Sequence, residues 1–191
     1  MAGTKSILLV GVGGQGTILA SKILSTGLVE AGYDVKMSEI HGMAQRGGSV
    51  STQVRYGDNV ASPIIGRGEA DILVSFEIME ALRWLEYLKP EGKIVVNDYE
   101  IPSAPILMGK KDYPEGVIDI IKSKANTSVI NAAEIAEELG NLKVMNVVLF
   151  GALVKAMGLT GIDWEKAIKD NVKEKFVDIN IKAFNRGKDA V

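Results

Sequence analysis

The chain has 191 residues, of which 47% are hydrophobic and 24% charged, with a formal net charge of −2. That balance suits one globular domain with a full core, and it lacks the basic excess of a nucleic-acid binder. No run of about 18 apolar residues occurs, so no membrane span is expected. The absence of cysteine excludes disulfides, thiolate-bound zinc and any cluster ligated by cysteines of this sequence.

The opening "MAGTKSILLV" reaches an apolar strand at once, which leaves no room for a leader peptide and makes a cytoplasmic setting the expectation. Ile7 to Val10 is a continuous apolar run, as in a parallel strand covered on both faces. "GVGGQG" (Gly11 to Gly16) follows, and from Thr17 onward Ile18, Ala20, Ile23, Leu24, Leu28 and Ala31 recur at helical spacing until Gly32. "DVKMSEI" (Asp34 to Ile40) alternates as a second strand, which completes a β-α-β unit with a right-handed crossover. "SVSTQVRYG" (Ser49 to Gly57) reads as an extended segment with one exposed face.

Further apolar runs lie at Ala70 to Phe76 and Gly92 to Asp98, with the amphipathic "EIMEALRWLEYL" between them. A helix is expected over Val117 to Lys124, a strand over Asn126 to Asn131, and a helix in "NAAEIAEEL" ending at Gly140. "KVMNVVLFGALVKAMG" is apolar almost all round and reads as a buried helix. Between Asp163 and Gly187, Trp164, Ile168, Val172, Phe176 and Ile179 form one apolar stripe. Strands alternating with helices give an α/β fold, a Rossmann-like and mostly parallel sheet flanked by helices. One domain spans residues 1–191, with a C-terminal helical segment over about 160–188.

Seven of the 21 glycines cluster in two loops. In the first, Gly11, Gly13 and Gly16 have the G-x-G-x-x-G spacing between strand and helix, where backbone N–H groups and the helix dipole attract an anion. Gly14 adds freedom, and Gln15 presents an amide to a ligand or caps the helix start. A tight turn with close helix–sheet packing also requires such glycines. An NAD site would want an acid about 20 residues further on, and Glu39 lies 23 residues after Gly16.

The second loop, "EIHGMAQRGGSV", places Arg46 before Gly47 and Gly48, with His41 and Gln45 nearby. A guanidinium next to bare backbone can grip phosphate or carboxylate in bidentate fashion. Asn146, in an apolar helix, needs partners and is a candidate support for the glycine loops. Asp98 ends a strand, where open α/β sheets place ligands or cap the next turn. Met37, Met43, Met79, Met145 and Met157 read as core filler.

In this order, "GVGGQG", "SEIHGMAQRGGSV", "NVVLFGAL" and "NIKAFNRG" resemble the gamma-type subunit or domain of the 2-oxoacid:ferredoxin oxidoreductases. Within that family the pattern is most similar to the small (beta) subunit type of the indolepyruvate enzymes. The resemblance implies a small subunit of a complex that decarboxylates an indolepyruvate-like 2-oxoacid on thiamine diphosphate. Electrons would pass through iron–sulfur clusters to ferredoxin, with acyl-CoA as the product. It implies that thiamine diphosphate and the clusters sit on a large partner subunit, since this chain has neither cysteines nor a Gly-Asp-Gly segment.

The candidate cofactor-binding residues are Gly11, Gly13, Gly14, Gln15 and Gly16, with His41, Gln45, Arg46, Gly47 and Gly48, and coenzyme A is the candidate ligand. No catalytic residue and no metal ligand is assigned to this chain, and no activity is expected from it alone. Without its partner, an exposed apolar face would favour self-association. A stand-alone NAD(P)-dependent oxidoreductase and a nucleotide- or acyl-CoA-binding regulatory module stay open as alternatives.

Overall fold

The structure, a computed structural model, describes residues 3–41 and 47–191. Six strands, β1 (Lys5–Val12), β2 (Asp34–His41), β3 (Ser49–Gly57), β4 (Ala70–Ser75), β5 (Leu88–Asn97) and β6 (Asn126–Ile130), form one sheet in the order β2-β3-β1-β4-β5-β6. β1, β4, β5 and β6 run parallel to one another, whereas β3 runs antiparallel to both its neighbours. The helices are α1 (Thr17–Glu30), α2 (Ile78–Arg83), α3 (Ala104–Leu107), α4 (Val117–Lys124), α5 (Ala132–Glu138), α6 (Met145–Met157), α7 (Trp164–Asn171) and α8 (Val177–Asp189). Among the described residues no helix is long and apolar enough to cross a membrane.

Alternation along the strands divides the core into two layers. Ile7 and Leu9 of β1 join Val54, Ile72 and Val74 beneath α1, α6, α7 and α8. Leu8 and Val10 turn the other way, to Leu73, Ile94 and Val96 and to Ile78 and Ile121 of α2 and α4. β1 is buried from its second residue onward, as its unbroken apolar run requires.

β1 and β2 run parallel and are joined through α1, as the β-α-β reading expects, but β3 is inserted between them. β3 is covered along almost its whole length, whereas β2 is half exposed and takes the edge. The exposed face expected for β3 is absent. Ser51 and Gln53 are buried, and the Ile65 N–H donates to Gln53 Oε1 at 2.6 Å from the loop covering that side.

The C-terminal stripe is broken into two helices. Trp164 packs so tightly on α1 that a Cβ on Gly27 would lie 2.3 Å from its ring, while α8 turns to put Ala183 and Phe184 into the core beside α6. A 3₁₀ turn over Glu174–Phe176 joins them and leaves Phe176 exposed at the corner. Met145 and Met157 pack against the core, but Met37 stands exposed on the edge strand and Met43 lies outside the described residues.

Candidate functional site

The two glycine-rich stretches meet. Gly13 donates its N–H to the Gly48 carbonyl at 2.8 Å, and the Gly47 N–H donates to the Gly13 carbonyl at 3.3 Å. These bonds carry the β1–β3 ladder beyond the strand ends and fix the second loop against the first. A cavity of about 360 Å³ opens beside them, lined by Gly13, Gly14, Gly16, Thr17, Ile18, His41 and Val50.

Helix α1 begins at this cavity with no side-chain cap and no acidic residue in its first turn. Gly16 occupies the N-cap position at φ 81° and ψ 25°, a left-handed conformation that favours glycine. The first N–H groups of a helix lack intrahelical acceptors and lie at the positive end of its dipole, so this end suits an anion. No carboxylate lines the cavity among the described residues.

The site residues expected from the sequence fall into groups. Gly13, Gly14, Gly16 and His41 line the cavity, and Gly47 and Gly48 are joined to Gly13 beside it. Gly11 and Gln15 face inward instead. The Gln15 side chain accepts the Val12 N–H at 2.8 Å and donates to the Phe76 carbonyl at 2.7 Å, so its amide ties strand ends together. A Cβ on Gly11 would lie 2.8 Å from Gln15 Oε1 and 2.9 Å from Phe76 Cβ, so that glycine serves packing. Gln45 and Arg46 lie outside the described residues.

Asn146 supports the first loop directly, its Nδ2 donating to the Gly16 carbonyl at 3.1 Å while its buried Oδ1 has no partner among the described residues. Glu39 is opposite Thr52 of β3 rather than beside β1. Two strand spacings of roughly 4.8 Å each therefore separate its backbone from that of β1, and the ribose-binding geometry of a dinucleotide fold is not reproduced. Its carboxylate faces His41 instead, at 3.7 Å.

A second set of polar residues escapes sequence reasoning. Glu77 is fully buried, caps α2 through the Glu80 N–H at 2.8 Å, and accepts the Tyr113 hydroxyl. Burial first, and then the hydrogen bond and charge of Glu77, push the Tyr113 hydroxyl pKa well above its ordinary value. Glu80, also buried, accepts the Ser49 hydroxyl and, at 3.1 Å, Arg83 Nε, which anchors α2 to the base of the second glycine loop. The only sequence signal was an acid at a helix start followed by another three residues on. Asp98 faces a different cavity, of about 440 Å³, beside Tyr113 and the start of α4.

The sequence model of the family described as pyruvate ferredoxin/flavodoxin oxidoreductase matches residues 6–190. The chain belongs to that family. Among relatives in the pyruvate ferredoxin/flavodoxin oxidoreductase family, the indolepyruvate oxidoreductase subunit IorB of Pyrococcus horikoshii is 40% identical over 188 residues, covering 95% of this chain and 93% of its own. The gamma subunit of a keto/oxoacid ferredoxin oxidoreductase from Geobacter sulfurreducens superposes with a TM-score of 0.75 at 26% identity, covering 99% of this chain and 97% of its own.

The same fold occurs within a longer chain. The 2-oxoglutarate:ferredoxin oxidoreductase of Magnetococcus marinus, solved with 2-oxoglutarate, coenzyme A and succinyl-CoA bound, matches all of this chain over 31% of its length, with a TM-score of 0.73 and 20% identity.

Proposed function

We propose that this chain is the small subunit of a thiamine diphosphate-dependent 2-oxoacid:ferredoxin oxidoreductase acting on indolepyruvate or a related aryl pyruvate. The observation that carries the reading is the pair of glycine loops, hydrogen-bonded through Gly13, Gly47 and Gly48 beside the uncapped start of α1. It occurs in a chain 40% identical to an indolepyruvate oxidoreductase subunit along nearly its whole length. Thiamine diphosphate supplies the electron sink for decarboxylation, and iron–sulfur clusters carry the electrons away. With no cysteine of its own, this chain leaves the clusters to a large partner subunit, and on this reading the same subunit holds thiamine diphosphate.

Its own contribution is to complete the assembly and to hold the phosphates of coenzyme A. Gly14, Gly16 and Thr17 would bring backbone N–H groups to the pyrophosphate, and Arg46, which precedes Gly47 in the sequence, is the candidate source of positive charge. The absence of a lining carboxylate among the described residues and the bare helix terminus fit a polyanion.

Calorimetry on the chain, alone and in complex with its large subunit, tests the ligand. Binding of coenzyme A with no binding of NAD is the expected result. NAD binding in preference to coenzyme A would refute it.

A further inference from the structure

A groove of about 290 Å³ lies on the helical face, between α1 and the corner where α7 passes into α8. Asn141, Asn171 and Asn180 line it with Lys143, Lys173 and Phe176, and no carboxylate lines it among the described residues. Asn180 is only 6% exposed, and its Nδ2 donates to the Phe176 carbonyl at 2.8 Å. Asn171 Nδ2 donates to the Ala167 carbonyl at 2.9 Å and to Thr26 Oγ1 at 3.0 Å. Both amides are thus held by their nitrogens, and neither Oδ1 accepts a hydrogen bond from a described residue. Asn141 is turned the other way: its Oδ1 accepts the Lys143 N–H at 3.0 Å, which leaves its NH₂ as a donor.

Two unused acceptors and one donor group complement the alternating N–H and C=O of an extended chain. The two lysines form no ion pair with a described residue, so the groove offers positive charge without internal compensation. Apolar surface continues past the groove: Leu142 is 53% exposed and Phe176 39% exposed at its rim. A free metabolite would fill the groove and leave that rim wet, whereas a protein segment continuing into a larger body covers both.

We propose that this groove docks an acidic, extended segment of the large partner subunit. Its backbone is read by the three asparagines, its carboxylates pair with Lys143 and Lys173, and an apolar side chain rests on Phe176. The proposal depends on the subunit reading above, and the test separates the two.

The chain and its large subunit are co-purified, treated with a carbodiimide that joins amines to carboxylates in direct contact, and the linked peptides mapped. Links from Lys143 or Lys173 to an aspartate or glutamate of the large subunit are expected. In a binding assay at low salt, the double variant Lys143→Glu, Lys173→Glu should weaken the complex about tenfold or more. Lys182→Glu, on an exposed position of α8 outside the groove, should leave it within about twofold.

A folded double variant that binds as tightly as the natural chain overturns the docking proposal and leaves the subunit reading standing. Links from these lysines to a second copy of this chain overturn it likewise. Failure of the natural chain to bind the large subunit at all removes both.

Discussion

Gln15 and Asn97 donate their side-chain amides to one carbonyl oxygen, that of Phe76, at 2.7 and 3.2 Å. Gln15 also accepts the Val12 N–H at 2.8 Å, and Asn97 accepts the Ala132 N–H at 3.1 Å. The ends of β1, β4 and β5 and the start of α5 are thereby joined at a single point beneath the glycine loop. Asn97 is fully buried, so Asn97→Ala strands an amide donor with no water to replace the lost acceptor. It should cost about 2–3 kcal/mol and Gln15→Ala about 1–2 kcal/mol, in the range for buried hydrogen-bond partners. Either amide alone still satisfies the shared carbonyl, whereas the double variant orphans it, so the double variant should lose more than the sum. Urea denaturation of the three variants checks this, and strict additivity would show that the shared carbonyl couples nothing.

The first glycine loop leans on Asn146 in a way that a second pair of substitutions can expose. Gly16 sits at φ 81°, and a Cβ there would come within 2.5 Å of Asn146 Nδ2. Gly16→Ala meets both a left-handed backbone, a cost of about 1–2 kcal/mol, and a clash with the amide. Removing the amide by Asn146→Ala relieves the clash and not the backbone strain. The double variant should therefore be more stable than the separate losses predict. Thermal melts read the stabilities, and coenzyme A binding reads the loop. Independent effects of the two substitutions would mean that the amide does not support the turn.

Helices α6 and α8 approach through glycine. A Cβ on Gly151 would fall 2.1 Å from the Phe184 carbonyl oxygen, and one on Gly187 would fall 1.9 Å from that of Val148. Backbone cannot swing aside as a side chain does, so Gly187→Ala must push the helices apart. The expected loss is about 2 kcal/mol or more, which lowers Tm by roughly 4–8 °C in a chain of this size. Gly3→Ala, with nothing within 4 Å, is the neutral control. A Gly187→Ala protein with unchanged Tm would contradict the close crossing.

That crossing shows where sequence reasoning succeeds and where it stops. "NVVLFGAL" and "NIKAFNRG" were legible as members of one family pattern, but nothing local says that the glycine of one touches the backbone of the other. The β1–glycine–α1 unit was legible because each part signals itself: an apolar run, a glycine turn, then helical periodicity. Pairing of β3 was not, since a strand's neighbour is decided by burial across the sheet rather than by its own alternation. Gln15 misled for a related reason. A polar residue in a glycine loop suggests a ligand, and only the position of the Phe76 carbonyl shows that the amide is used inside the protein. The union of the two glycine loops through Gly13 likewise depends on β3 lying next to β1.

The chain alone should oxidise no 2-oxoacid with ferredoxin, a viologen dye or NAD as acceptor. Decarboxylation of a 2-oxoacid places an electron pair on the former carbonyl carbon, and no amino-acid side chain of this sequence delocalises it as thiamine diphosphate does. One-electron delivery to ferredoxin requires a redox centre, and a chain without cysteine lacks the usual cluster ligands. Adding the large subunit should bring acyl-CoA formation and acceptor reduction together, at a rate the large subunit does not reach by itself. Arg46→Ala should lower that rate or raise the coenzyme A requirement, by an amount equivalent to about 1–3 kcal/mol for a lost charge-assisted contact. The decisive measurement is product and reduced acceptor for each subunit and for the mixture, with arylpyruvates compared against pyruvate and 2-oxoglutarate. Robust NAD reduction by the chain alone would refute its place as a non-catalytic subunit, because it would require a hydride site that the displaced Glu39 and the inward-facing Gln15 do not provide.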